Sequence, residues 1–325
     1  MPLRVLITGI TGFAGSHLAE RLVAGGAVVH GVAIEDPPFR NLTAVARDVT
    51  IHRGDITRAE DLSAALAASE PEVVIHLAGQ AVPTLAAQDP VGAVRVNVLG
   101  TAAVIAAVDE RPGMRLVVAS SADVYGSPRR SLVSEDTPLD PANPYAATKV
   151  AAEALARDLG DGAGSGARTV IILRPTNQIG PRQHPGLVAS AFAKQIAEAE
   201  TGRADAVVRH GSLDAHRDFL DVRDMADAYG RAAENRTPGT HVFNVGTGQA
   251  VGVEEILRTL VELASVPVRT ELDPERVRPG AAPTFALDAS RFRAATGWEP
   301  RTPLRTSLRD LLDYWREQVR QEASV

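Results

Sequence analysis

Residues 8–15 read TGITGFAG and follow the short apolar run RVLI at 4–7. The glycines Gly9, Gly12 and Gly15 stand three apart. Each has a physical use. Gly9 permits a tight turn from strand into helix, Gly12 lets a pyrophosphate approach the backbone, and Gly15 lets the helix pack close to the strand. The helix opening there offers oriented N–H groups and the positive end of its dipole to an anion. A glycine pattern alone is weak evidence. One that ends a strand and opens a helix has the setting a dinucleotide requires.

Outward from that turn the first half of the chain alternates. Apolar, β-branched runs at 4–9, 27–34, 49–55, 72–79 and 115–121 are separated by helical patterns near 14–25, 59–69, 90–110 and 145–159. A sixth strand at 167–175 follows the glycine-rich loop GDGAGSGA at 160–167, read as a surface connection. Continuous apolar strands alternating with helices predict a doubly wound parallel sheet buried on both faces, an α/β fold. After Pro175 the rhythm breaks. A helix is expected near 187–201, a strand in ADAVVRHG, a helix in VRDMADAYGRAAE, and a buried strand in HVFNVGTG at 241–248. Two amphipathic helices follow; the second carries Leu304, Leu308, Leu311, Leu312 and Trp315 on one face.

Composition narrows the function. The net charge of −6 argues against a broad nucleic-acid or anionic-membrane footprint. The absence of cysteine excludes disulfides, thiolate catalysis and cysteine-ligated zinc, and no metal site is expected. No apolar run is read as approaching the ~20 residues of a membrane span. The expectation is a cytoplasmic protein.

Chemistry concentrates in NPYAATKVAAEAL, where Asn143 caps a helix and Pro144 fills its first turn. Tyr145 and Lys149 are then i and i+4 on one helix face. A phenol of ordinary pKa ~10 is a poor base at neutral pH. A nearby ammonium and an oxidised nicotinamide favour its phenolate. Tyr145 is therefore expected to exchange a proton with an alcohol or carbonyl, with the Ser121 hydroxyl orienting the same oxygen. At the adenosine end, the second strand finishes at Ala33, and Glu35 is placed to reach ribose hydroxyls and repel a 2′-phosphate, with Arg40 as an offset. NAD(H) is favoured over NADP(H), and the alternative is that Glu35 and Asp36 are solvated loop residues. Asp55 is favoured as an adenine contact, with capping of the helix at 59–69 as its other reading.

These features, with GDI at 54–56, HLAG at 76–79, VNVLGT at 96–101, SSADVYG at 120–126 and LRPTNQIGP at 173–181, make the chain resemble the extended short-chain dehydrogenase/reductase family over nearly its full length. The resemblance implies a Rossmann-type doubly wound sheet with a smaller, discontinuous C-terminal substrate domain. The cofactor domain would take 1–175 and about 215–248, because HVFNVGTG returns to the sheet; the nucleotide-sugar domain would take about 176–214 and 249–325. It implies Ser121, Tyr145 and Lys149 as catalytic residues. It implies a cofactor wall from Gly9, Thr11, Gly12, Phe13, Ala14 and Gly15, then Glu35, Asp55 and Ile56, then Leu77, Ala78, Gly79 and Asn97, and lastly Ser120 and Pro175. A homodimer is usual in the family.

The second half looks like the nucleotide-sugar branch. Asn177, Lys194, Arg217 and Arg278 are the implied substrate residues, the arginines suiting a diphosphate. For Arg217, ion pairing with Asp214 or Asp218 is the plainer reading. After Arg278 the chain reads Gly280-Ala281-Ala282 where related reductases tend to carry an acid, which leaves the nucleotide and hexose open.

A 4,6-dehydratase needs acid/base groups beyond the serine, and the positions in question hold Ala122 and Asp123. The first acid is missing and the second is one methylene short, a displacement that can cost ~10²-fold in rate. Asp123 is read instead as a turn or cap acceptor. The expectation is an NAD(P)H-dependent 4-ketoreductase of an NDP-4-keto-6-deoxyhexose. The alternatives are a 4,6-dehydratase, a 4-epimerase or, outside the class, a non-catalytic nucleotide-binding protein.

Overall fold

The computed structural model describes residues 1–162, 168–277 and 284–323. Fourteen strands are present among them: β1 (Arg4–Thr8), β2 (Val28–Ala33), β3 (Val49–Arg53), β4 (Val73–His76), β5 (Arg115–Ala119), β6 (Leu132–Val133), β7 (Thr169–Pro175), β8 (Asn177–Ile179), β9 (Val207–His210), β10 (His216–Asp221), β11 (Gly239–Val245), β12 (Ala250–Gly252), β13 (Arg269–Leu272) and β14 (Ala286–Leu287). Seven form one parallel sheet in the order β11-β7-β5-β4-β1-β2-β3. β4 and β7 are buried at every position, as expected of strands covered on both faces. The strand order reverses between β1 and β4, which opens a crevice at their carboxyl ends.

The helices are α1 (Phe13–Ala24), α2 (Ala59–Ser69), α3 (Pro83–Gln88), α4 (Pro90–Val94), α5 (Thr101–Asp109), α6 (Pro144–Asp161), α7 (Val188–Glu200), α8 (Val222–Glu234), α9 (Val253–Glu262), α10 (Ser290–Thr296) and α11 (Leu304–Ala323). α1 and α8 cover one sheet face, with Leu18, Leu22, Met225 and Tyr229 in its core. α2, α5 and α6 cover the other, with Leu62, Val104 and Ala156. A third core lies between α7, α9 and α11, where Leu308, Leu311, Leu312 and Trp315 meet Phe192 and Ile256. The face read from the sequence of α11 is the one buried.

Three expectations need correction. The strand in HVFNVGTG pairs with β7 from Gly239 to Val245 and stops there. The Asp218 carboxylate accepts bonds from the backbone of Thr247 and Gly248 (3.1 Å each) and pulls the chain out of the ladder. β10, within the segment assigned to the large sheet's domain, pairs instead with β8 and β12 in a small sheet. Thirdly, residues 90–109 form one continuous helix whose length and composition would suit a membrane span. Its middle turn, Arg95–Gly100, is widened to π-helical. The inward face packs on α2 and α6, while Val91, Val94 and Leu99 are exposed. α10 had no periodic signal in its short, polar sequence. It is held by Phe292 against the buried Trp298, whose indole donates to Asp224 O at 3.0 Å.

Candidate active site

The glycine turn opens the site. Gly9 has φ +71°, a left-handed conformation that favours glycine, and a Cβ there would lie 2.8 Å from the Ala78 backbone. A Cβ on Gly15 would lie 2.1 Å from the Gly9 carbonyl. Gly12 caps α1 in an extended conformation, and the first turn of α1 holds no acid. This bare, N–H-lined cradle fits a dinucleotide pyrophosphate. It is one wall of a cleft of about 300 Å³ that runs past Phe13, Ala14, Leu77 and Gly79 to Ser121, Tyr145 and Lys149, with Ser120, Pro175 and Asn177 beyond.

Asn143 caps α6 by accepting from Ala146 N at 2.9 Å, and Pro144 occupies the first turn. The helix then stacks Tyr145 and Lys149 toward the end of β5, with Lys149 Nζ 5.9 Å from the Tyr145 ring centre. The Lys149 ammonium donates to Ala119 O at 2.8 Å. Ser121 Oγ accepts from Asp123 N at 3.1 Å and faces the Tyr145 phenol. Burial pushes the Tyr145 phenol well above its ordinary value, the Asp123 carboxylate adds to the rise, and Ser121 opposes it. The protein's own groups thus favour the neutral phenol, whereas the expected phenolate draws on an oxidised nicotinamide as well as Lys149. Burial pulls Lys149 down to about 8, with Glu153 opposing.

Asn97 lies behind this wall rather than on it. Turned inward by the π-helical stretch, it accepts from Gln80 N (2.8 Å) and donates to Thr148 Oγ1 (2.9 Å), tying the loop after β4 to α6. The Thr101 hydroxyl donates to Asn97 O, so its oxygen accepts from His76 Nε2 at 2.9 Å. That assigns the Nε2–H tautomer to His76 and leaves Nδ1 to accept from Thr8 Oγ1 at 2.7 Å. Burial holds His76 neutral, down at about 3.

Other expected residues are more scattered. Thr11 offers its carbonyl to Asn41 Nδ2 at 2.8 Å and does not line the cleft. Ile56 is core, and Ala78 donates its N–H to Thr8 Oγ1 at 3.3 Å. Asp55 lines a second, separate pocket with Arg53 and Arg58. Its carboxylate accepts from Thr57 N at 2.9 Å, a turn just before α2, whose N-cap is Arg58. Glu35 is exposed.

Among the substrate residues, Asn177 lines the cleft and donates to Asp218 O at 3.2 Å. Lys194 does not reach it: Glu198 lies 3.7 Å away on the same helix, and the Trp315 ring stands 5.4 Å from its Nζ. Arg217 donates to His216 O and pairs with neither Asp214 nor Asp218. Asp214 is bonded to Ser212, and Asp218 to Thr247. The charge facing Arg217 is Asp123. Arg278 and residues 280–282 lie outside the described residues.

Asp123 is also corrected. Among the described residues no donor reaches its carboxylate, so it is not a cap; Ser121 takes that role. The Asp123 side chain lines the cleft, and burial raises its carboxyl, with Arg217 opposing. Tyr229 and Gln183 also line the cleft. Their sequence contexts, a helix and a turn, gave no signal, because only the packing of α8 and the 180–183 corner brings them there.

A family model described as GDP-mannose 4,6 dehydratase matches residues 6–311. A GDP-6-deoxy-D-mannose reductase of Pseudomonas aeruginosa is 34% identical over 326 aligned positions, covering 99% of this chain and 100% of that protein. A UDP-glucose 4-epimerase of Mycolicibacterium smegmatis is also 34% identical, over 97% and 99%. Among solved structures, RMD from Pseudomonas aeruginosa complexed with NADPH superposes with TM-score 0.81 at 31% identity, over 97% and 99%. MoeE5 in complex with UDP-glucose and NAD superposes with TM-score 0.83 at 30%, over 97% and 99%. Fold and site thus define an extended short-chain dehydrogenase/reductase, an enzyme that binds NAD(P)(H). Within that class the chain belongs to the GDP-mannose 4,6-dehydratase family, whose members modify nucleotide sugars.

Proposed function

We propose that this enzyme is a 4-ketoreductase of an NDP-4-keto-6-deoxyhexose, of the GDP-6-deoxy-D-mannose reductase kind. The observation that carries this reading is a buried Tyr145 phenol facing Ser121, beside a serine neighbour, Ala122, that offers no second acid. The nicotinamide cofactor, when bound, supplies the hydride. Ser121 Oγ already accepts from Asp123 N, so its own hydrogen is available to a sugar carbonyl oxygen. Tyr145 holds a proton at its hydroxyl and delivers it to that oxygen. The Lys149 ammonium offsets the phenolate that results. Arg217, half-buried and with its guanidinium bonded among the described residues only to His216 O, and Asn177 are assigned to the diphosphate and sugar. On this reading residues 1–175 and about 215–248, β10 excepted, serve the cofactor, with NAD(H) favoured by the exposed Glu35, and the remainder serves the nucleotide sugar.

The test supplies GDP- and dTDP-4-keto-6-deoxysugars with NADH or NADPH, and separately the parent sugar nucleotides. Oxidation of reduced cofactor by a ketosugar is the expected result. Ketosugar formed from a parent hexose without net cofactor turnover would overturn it and assign a 4,6-dehydratase. That second reading has its own support, the cleft-facing Asp123 carboxylate that no donor occupies. A 4-epimerase would instead interconvert hexoses with no ketosugar released. A cytoplasmic homodimer completes the proposal. The exposed Val91, Val94 and Leu99 on the 90–109 helix support a helix-pair interface, which light scattering would test.

A further inference from the structure

Glu153 lies one turn beyond Lys149 on the inward face of α6 and is 1% exposed. A carboxylate taken out of water persists only if paired and fully hydrogen-bonded. Here it is gripped from two sides. Arg174, itself buried in β7, donates through Nε at 2.8 Å and Nη2 at 2.6 Å. The Ser120 hydroxyl donates to the same carboxylate. Arg174 also donates to Tyr125 Oη at 2.8 Å, and Tyr125 donates to Asn244 Oδ1 at 2.7 Å, so the guanidinium is anchored to β11 as well.

This buried carboxylate sits under the end of β5. Ser120, which it holds, is followed by Ser121. Ala119, which precedes Ser120, is the residue whose carbonyl accepts the Lys149 ammonium. One anion therefore meets the strand end that positions both. We propose that Glu153 is a positioning residue for the reaction: its fixed carboxylate sets the Ser120–Ser121 strand end and is the counter-charge to Lys149, one turn away on the same buried helix face. The inference rests on the assignment of Ser121, Tyr145 and Lys149 to catalysis.

The charged and titratable groups facing this cluster are Arg174 from β7, Arg157 on α6 at 3.9 Å from Glu153, Tyr125 and Glu135 from the segment after β5, and His76 from β4. Of these, His76 is held neutral by burial, and Arg174 is itself engaged with Glu153 and Tyr125. Glu153 is the group that opposes the desolvation of Lys149.

The chain has two lysines, Lys149 and Lys194, which makes a direct test possible. Protein carrying 13C-labelled lysine side chains is titrated by NMR, with Lys194 as the internal control. In Glu153→Gln the Lys149 midpoint is expected to fall by about one pH unit, a tenfold change in its ammonium-to-amine ratio, while Lys194 stays put. Glu153→Gln leaves a buried guanidinium unpaired and can fail to fold. In that case Glu153→Gln/Arg174→Gln, which removes anion and cation together, is read instead; Glu153 and not Arg174 acts on Lys149, so a fall of the same sign but smaller size is expected. An unmoved Lys149 midpoint in whichever variant is folded overturns the proposal and leaves Glu153 a structural residue. The titration needs no sugar, so it stands apart from the ketosugar assay. If ketosugar reduction is found, the basic limb of its pH–kcat profile should move down with the NMR midpoint.

Discussion

At the end of β5 two corners of one cleft meet. Ser121 and Lys149 have fixed hydrogen-bond partners there, and Tyr145 has the Ser121 hydroxyl before it. Two residues along the chain, Asp123 has only the distant Arg217 to offset its burial. On the proposed function the locked corner holds the groups for proton exchange at a carbinol carbon, chemistry shared by reductases, dehydratases and epimerases. The unlocked corner is where a dehydratase would need a further acid. A group left without partners beside a cleft is free to meet substrate, and free to differ between relatives without disturbing the fold.

The largest expected effect breaks the locked corner. Tyr145→Phe should lower kcat about 10²–10⁴-fold on whichever nucleotide sugar the enzyme turns over, with little change in thermal midpoint. Near-normal turnover would show that the comparison has the wrong corner. Gly15→Ala comes next. Its methyl group would meet the Gly9 carbonyl at 2.1 Å, backbone against backbone. Dinucleotide affinity, read by fluorescence titration, should weaken by about 10²-fold, or about 2.7 kcal/mol.

A third measurement asks how much stability the polar wiring behind the locked corner costs in acid. His76 titrates at about 3 in the folded chain against 6.5 when free. The fold favours the neutral ring, so stability is intact above 6.5 and is lost as pH falls from there towards 3. The slope is at most about 1.4 kcal/mol per pH unit for one site. Urea unfolding at pH 7 and pH 5 should show the loss, and His76→Gln should flatten it. An unchanged slope in that variant would point to another buried histidine such as His17. The smallest effect belongs to the unlocked corner. Asp123→Asn should leave ketosugar reduction within about threefold, whereas a loss of ~10² or more would make Asp123 an acid/base group and favour the dehydratase.

Local features were legible in the sequence because local physics decides them. A glycine with positive φ, a helix cap and an i, i+4 pair are settled within a few residues, and Gly9, Asn143 and Tyr145/Lys149 stand where the sequence placed them. Misreadings arose where distant chain intervened. Lys194 faces Trp315, more than a hundred residues later, instead of the cleft. The strand in HVFNVGTG ends early because Asp218 captures the next two backbone N–H groups. Asn97 is expected at the cofactor from the resemblance carried by VNVLGT, but the widened helical turn points it into the wall.

By itself the sequence determined the parallel α/β sheet, the dinucleotide cradle and the grouping of Ser121, Tyr145 and Lys149, since alternation, glycine spacing and helical period are written in consecutive residues. Tertiary structure alone decided the rest. It set Glu153 and Arg174 under the strand end, brought Tyr229 and Gln183 to the cleft, and turned Asp123 from an expected cap into a cleft-facing acid. The reason is that burial and the fields of charges far apart in sequence set protonation and orientation, and neither exists until the chain is folded.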